Sequence, residues 1–218
     1  MLFRQTCLCF LIALFGITVT AERNAKESAL LARKLVASAK LGDIGTIMAH
    51  NPTDDTDIVG LPFSTPEYIA DDCPSSGDIL VYLVTWGTHA RNARVNPAAS
   101  ITIAHPDFIN PPKDSRGSLD EARVAIVGNL ERISGEEVVE EARKCFVAAH
   151  PDAATFPHSS AYYRLKATGI RWIGGFGDRH FNGWVPAEWY HDASIADEVT
   201  ATPLNLQPRA HPRRRTTI

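Results

Sequence analysis

The stretch Glu121–Ile133, EARVAIVGNLERI, decides the fold class. Ala122, Val124, Ile126, Gly128 and Leu130 fall on one side of an extended chain, and Arg123, Ala125, Val127, Asn129 and Glu131 on the other. This is the period of two that sends successive side chains to opposite faces of a strand. One face is apolar and belongs against a core. Working outward, ASITIA (Ala99–Ala104) and ILVYLVT (Ile79–Thr85) precede it as strands, and AYYRLKATGIRWIGGF (Ala161–Phe176) follows, alternating Tyr163, Leu165 and Ala167 against Tyr162, Arg164 and Lys166. That last strand is expected to break at Gly169 and again at Gly174-Gly175. IGTIMAH (Ile44–His50) is a further short strand. IVGLPFSTPEYIA (Ile58–Ala70) is extended too, but Pro62 and Pro66 exclude it from the middle of a sheet or demand a bulge.

Two segments carry the helical period instead. NAKESALLARKLVASAK (Asn24–Lys40) stacks Leu31, Leu35 and Ala39 on one face and is expected to close at Gly42. SGEEVVEEARKCFVAAHP (Ser134–Pro151) offers Ser134 and Glu137 as a capping box and aligns Val138 or Val139 with Ala142, Phe146 and Ala149. His150 ends this helix, where the dipole favours it. Six or seven strands, mostly neighbours in sequence, with two principal helices predict a mainly β, α+β fold: an antiparallel barrel flanked by helices.

Residues 1–21, MLFRQTCLCFLIALFGITVTA, carry one basic residue, Arg4, before an apolar run. The run is shorter than the roughly 20 residues of a membrane span and ends in small residues, so it reads as a secretory signal peptide. Secretion, or delivery to a vacuolar or lysosomal lumen, is the expected destination. One domain is expected over 24–192, and the Pro- and Arg-rich remainder, 193–218 with Arg213–Arg215, is expected to be disordered. The formal net charge of −3 is interspersed, which is not the footprint of a nucleic-acid binder. Beyond the leader only Cys73 and Cys145 remain; one lies beside a proline and the other on an apolar helix face, and two free thiols are favoured over a bridge. No Asn-x-Ser/Thr sequon occurs.

Most motifs of chemistry are missing. GGFG (Gly174–Gly177) ends a late strand and is no dinucleotide fingerprint, and neither a Walker sequence nor a Gly-x-Ser-x-Gly elbow is present. The eight histidines never pair at helical spacing or with cysteines, so no metal site is expected. The informative segment is TWGTHARNAR (Thr85–Arg94), which places hydroxyls, an imidazole and arginines directly after a buried strand. Such a set could hold a phosphate beside an aromatic ring, or could simply be a solvated helix.

The order of THARNARVNPA (Thr88–Ala98), the strand at 121–133, the capped helix, HPDAATFP (His150–Pro157), AYYRLKATGIRWIGGFG and VPAEWY (Val185–Tyr190) resembles the pyridoxamine 5'-phosphate oxidase-like split-barrel superfamily. Within it the chain is most similar to the CREG group of secreted proteins, through ARKCFVAAHPDAATFPHSSAYYRLK and VPAEWY, while THARN and GGFG are also similar to haem-degrading HugZ-type relatives. The resemblance implies a six-stranded antiparallel split barrel that forms a homodimer, with flavin mononucleotide (FMN) at the dimer interface in the enzymes. On this reading Thr85, Thr88, His89, Arg91 and Asn92 meet the phosphate, and Pro62, Phe63, Ser64 and Thr65 approach the flavin ring. The oxidases' adjacent Arg-Lys pair is replaced here by HARN, and RWIGG sets its arginine before the tryptophan. CREG proteins have lost flavin binding and act as regulators, so the resemblance implies a secreted binding homodimer with weak or lost FMN binding and an extracellular or endolysosomal receptor. An FMN-dependent oxidoreductase is the alternative, and a haem protein using His180 or His191 the third.

Overall fold

In the computed structural model, which describes residues 24–50, 57–111, 117–177, 180–195 and 198–199, seven strands and five helices follow one another. They are α1 (Ala25–Ser38), β1 (Leu41–Ile47), β2 (Pro62–Asp71), β3 (Ile79–Val84), α2 (Thr88–Val95), β4 (Ala98–Ala104), α3 (Pro106–Ile109), β5 (Arg123–Arg132), α4 (Glu136–Ala149), β6 (Ser160–Ile173), β7 (Asn182–Val185) and α5 (Ala187–Tyr190). The expected leader, 1–21, and the Arg213–Arg215 cluster lie outside the described residues.

The strands run in the order β3-β2-β1-β4-β5-β6-β7, every pairing antiparallel, and β3 also pairs with β6. The second pairing closes six strands into a barrel. β6 makes this possible by its length: Ser160–Leu165 pair with β3, while Ile170–Ile173 pair with β7 on the same side. Strand β6 continues through Gly169, where a break was expected, but carries one extra residue there: Val127 of β5 pairs with Gly169 and Gly128 with Ala167, which leaves Thr168 of β6 as a bulge.

Inward-facing Ile44, Ile69, Val81, Ile101, Ile126 and Leu165 form one core with Ala29, Ala32, Leu35 and Val36 of α1. Helix α1 touches β2, β4, β5 and β7, so it lies across a mouth of the barrel. It ends at Ser38 rather than at Gly42, which sits within β1. A Cβ on Gly42 would stand 2.8 Å from Ile101 and 2.9 Å from Ile69, so the residue gives way to core side chains and does not cap a helix.

A second cluster lies outside the wall. Ala70, Leu80 and Tyr162 face away from the barrel and are covered by Ala142 and Phe146 of α4. The expected capping box does not form, since α4 starts one residue after Gly135, whose φ of 90° turns the chain, and no side chain caps it. His150 does terminate α4, with its Nε2 2.7 Å from the Ile69 carbonyl. The expectation of free thiols is overturned: docking of α4 beside the β2–β3 turn brings Cys73 and Cys145 to a Cα separation of 5.9 Å, and they form a disulfide. Past α5, Ala193–Ile195 form a 3₁₀ turn, Glu198 meets Lys34 of α1 at 3.2 Å and Val199 is buried. Among the described residues no helix is long and apolar enough to cross a membrane.

Candidate functional site

Strands β2 and β3 stay together for only a short ladder, Ile69–Asp71 opposite Val81–Ile79. From there β3 follows β6 as far as Val84, while the first half of β2 follows β1. The barrel is therefore split between these strands, and a cleft of about 740 Å³ opens in the gap. This also explains how β2 keeps two prolines inside a sheet. Pro62 and Pro66 lack an N–H where no β3 neighbour would accept one.

The cleft has an aromatic wall. Tyr82 stacks with Phe156 at 6.2 Å between ring centroids, Phe156 meets Tyr68 at 6.0 Å, and Trp86 meets His158 edge-on at 6.0 Å. Trp86 leaves 63% of its surface in solvent, beside the cleft it helps to line. Across the gap stand Phe63, Thr65 and Glu67 of β2. Burial raises the Glu67 carboxyl above its ordinary range, opposed in part by the Thr65 hydroxyl.

Helix α2 supplies Thr88, His89 and Ala90 to the same space. His89 is buried, with Nδ1 2.9 Å from the Thr46 hydroxyl and Nε2 2.8 Å from the Thr65 hydroxyl, and its ring lies 5.1 Å from Phe63. Burial pushes it down to about 4, so it is neutral at physiological pH. Asn92, also buried, accepts from the Ala49 N–H at 2.9 Å and donates to Thr46 at 2.9 Å. These two side chains thus fasten α2 to the end of β1. Thr85 donates its hydroxyl to the Ser159 carbonyl at 3.1 Å, and Arg91 donates to the Trp86 carbonyl at 2.9 Å.

Of the residues singled out by resemblance, Phe63, Thr65, Thr88 and His89 converge on the cleft. Pro62 and Ser64 alternate to the exposed face of β2, and Thr85, Arg91 and Asn92 do not line the cleft. The first turn of α2 has Gly87 before it and no side-chain cap. His191 sets both ring nitrogens against backbone carbonyls, Ser76 at 2.9 Å and Ala167 at 2.8 Å. Sequence reasoning missed the aromatic wall. The available signal was Tyr82, the one ring in an otherwise aliphatic strand, at an outward position of the alternation.

A family model described as "CREG, beta-barrel" matches residues 23–192. The chain belongs to the CREG beta-barrel family. No curated protein matches this CREG chain. Among solved structures, a heme binding protein from Mycobacterium smegmatis is similar at 24% identity and a TM-score of 0.59, over 75% of this chain and 60% of that one. A protein of unknown function from Agrobacterium tumefaciens is similar at 25% identity and a TM-score of 0.55, over 80% and 65% respectively. The CREG chain spans less than two thirds of the length of both.

Proposed function

We propose that this CREG-family protein is a secreted or vacuolar-lysosomal homodimer that acts by binding, with a flavin-type cleft whose grip on FMN is weak or lost. The observation that carries this reading is the commitment of the polar groups of α2. The ring nitrogens of His89 and the amide of Asn92 are spent on Thr46, Thr65 and the Ala49 N–H, and His89 is neutral. A phosphate is left with Thr88, the uncapped first turn of α2 and the unused N–H groups of Arg91. The aromatic wall, by contrast, suits the face of a planar ring. The disulfide supports an oxidising compartment, and the exposed Trp86 and Trp184 support a partner surface. The partner beyond a second copy is a receptor outside the cell or in an endolysosomal lumen.

Purified protein should be colourless, and in fluorescence titrations FMN should bind no more than about threefold tighter than riboflavin, since a strong phosphate grip would add well over tenfold. A yellow protein whose flavin bands bleach with a reductant would establish the oxidoreductase alternative instead. A Soret band would favour haem, the ligand of the mycobacterial relative. Light scattering should give a dimer at micromolar concentration; a monomer would remove that part of the proposal.

A further inference from the structure

We propose that His105, Asp107 and Glu121 bind one divalent transition-metal cation, at a site separate from the cleft. His105 follows the last residue of β4 and begins α3, Asp107 lies in α3, and Glu121 precedes β5. The cleft-lining helix α2 feeds the other end of β4, so a strand of seven residues, roughly 20 Å long, separates the two places.

The three donors are gathered and withdrawn from water. His105 and Glu121 are each 9% exposed, and the side chain of Asp107 is 13% exposed. One ligand atom from each lies within 4.8 Å of the others. His105 Nδ1 stands 3.5 Å from Glu121 Oε2 and 3.8 Å from Asp107 Oδ2. These spacings exceed the roughly 2.7–2.9 Å of a direct charge-assisted hydrogen bond. The 3.5 Å spacing falls within, and the 3.8 Å spacing slightly above, the ~3.3–3.6 Å between neighbouring donors that each sit about 2.0–2.2 Å from a shared tetrahedral ion.

The electrostatics point the same way. The Asp107 N–H donates to His105 Nδ1 at 3.2 Å, so that nitrogen carries a lone pair rather than a proton, and a cation could take it over from this long contact. Two carboxylates and this nitrogen thus lie close together, and among the described residues no lysine or arginine stands between them. Arg123 is engaged elsewhere: it donates to the backbone carbonyl of Glu121 at 3.3 Å and lies 5.1 Å over the Phe108 ring. Among the described residues no lysine or arginine forms an ion pair with Asp107 or Glu121. A cation bound to Nδ1, in exchange for the long Asp107 N–H contact, would neutralise the pair and tie together the two ends of the β4–β5 connection.

The donor set selects the ion class. One imidazole and two carboxylates suit zinc(II) or manganese(II), whereas calcium and magnesium take oxygen donors. Three protein ligands also leave a coordination position for water. A search for paired histidines overlooks this arrangement because its spacing, one histidine with a carboxylate two residues on and another across a connection, is common in exposed loops. Burial is what sets it apart.

The test is equilibrium dialysis of the chelator-treated full chain against zinc chloride, with Asp107→Asn and Glu121→Gln beside the wild type. One equivalent should bind per wild-type chain at micromolar zinc, with affinity at least tenfold lower in each variant. Zinc should raise the melting temperature of the wild type but not of Glu121→Gln, and without zinc that variant should be no less stable than the wild type, having lost one of two neighbouring carboxylates. Absence of stoichiometric binding, or binding that both variants retain, would overturn the proposal. So would a zinc-independent loss of stability in Glu121→Gln with zinc affinity unchanged, which assigns the three residues a purely structural role.

Discussion

Arg33 of α1 and Tyr190 of α5 hold the two ends of the domain together. The guanidinium donates to the Tyr190 carbonyl at 2.8 Å, lies 5.6 Å from the centre of its ring, and donates again to the Ser75 carbonyl and hydroxyl at 2.8 and 2.9 Å. Tyr190 in turn donates its hydroxyl to the Gly77 carbonyl at 2.9 Å. Both side chains are almost wholly buried, so the arginine serves the fold. Gly77 is required here: its φ is 90°, and a Cβ would stand 2.6 Å from the Tyr190 ring.

Replacing Arg33 with alanine should therefore cost about 3 kcal/mol, because several charge-assisted bonds are lost and buried carbonyls are left without donors. Arg33→Lys should recover little, since a single ammonium cannot span the acceptors on α5 and at Ser75. Tyr190→Phe should cost only about 1 kcal/mol. Urea unfolding of the three variants measures the series; equal losses in Arg33→Ala and Tyr190→Phe would contradict it.

Gly128 should tolerate no side chain. Opposite the β6 bulge a Cβ would collide with the Lys166 carbonyl of β6, a backbone atom that cannot step aside. Gly128→Ala should destabilise by more than about 3 kcal/mol or prevent folding. Alanine at Gly60, where a Cβ meets nothing within 4 Å, is the control and should cost about 1 kcal/mol through its φ of 83°. Yield and melting temperature of the two variants decide the matter.

The Cys73–Cys145 bridge spans 72 residues of chain. Loop closure of that length in the unfolded state corresponds to about 4 kcal/mol. A reductant should lower the denaturation midpoint accordingly, and Cys145→Ser should reproduce the loss under oxidising conditions. The same midpoint with and without reductant would show that the bond adds no net stability.

The sequence made the barrel wall legible wherever one face alone was buried. The alternation at Val124, Ile126 and Leu130 survives intact in β5, and the amphipathic stripes of α1 and α4 bury Leu35 and Phe146 as their spacing requires. Legibility failed where a residue answered to distant contacts. Gly42 reads locally as a helix stop, yet its role is set by Ile101 and Ile69, and Tyr162 and Tyr163 are both buried because α4 covers the outside of β6. The pairing of Cys73 with Cys145 depends on the docking of α4, which no local pattern encodes. The cleft was half legible for a similar reason. THARN marked the helix beside it, but the aromatic wall comes from β2, β3 and the turn after α4, which meet only because β2 and β3 part.

His89 gives the fold a pH dependence whose sign is fixed. Its folded-state value of about 4 lies below the ordinary 6.5 because burial disfavours the charged ring. Between these values the unfolded chain binds the proton more readily, so the contribution of neutral His89 is fully present above pH 6.5 and is lost as pH falls toward 4. The loss is on the order of 2 kcal/mol. Glu67 and Asp71 are shifted upward by burial, so the folded state binds their protons more readily, and each opposes this slope as the solution becomes acid. The wild-type curve alone therefore understates the histidine, and the comparison with His89→Gln isolates it. Glutamine can still reach Thr46 or Thr65 but does not titrate, so the two proteins should converge in stability as pH falls from 6.5 to 4. Parallel curves from urea unfolding over that range would show that His89 takes up its proton in the fold as readily as in the unfolded chain, contrary to its burial.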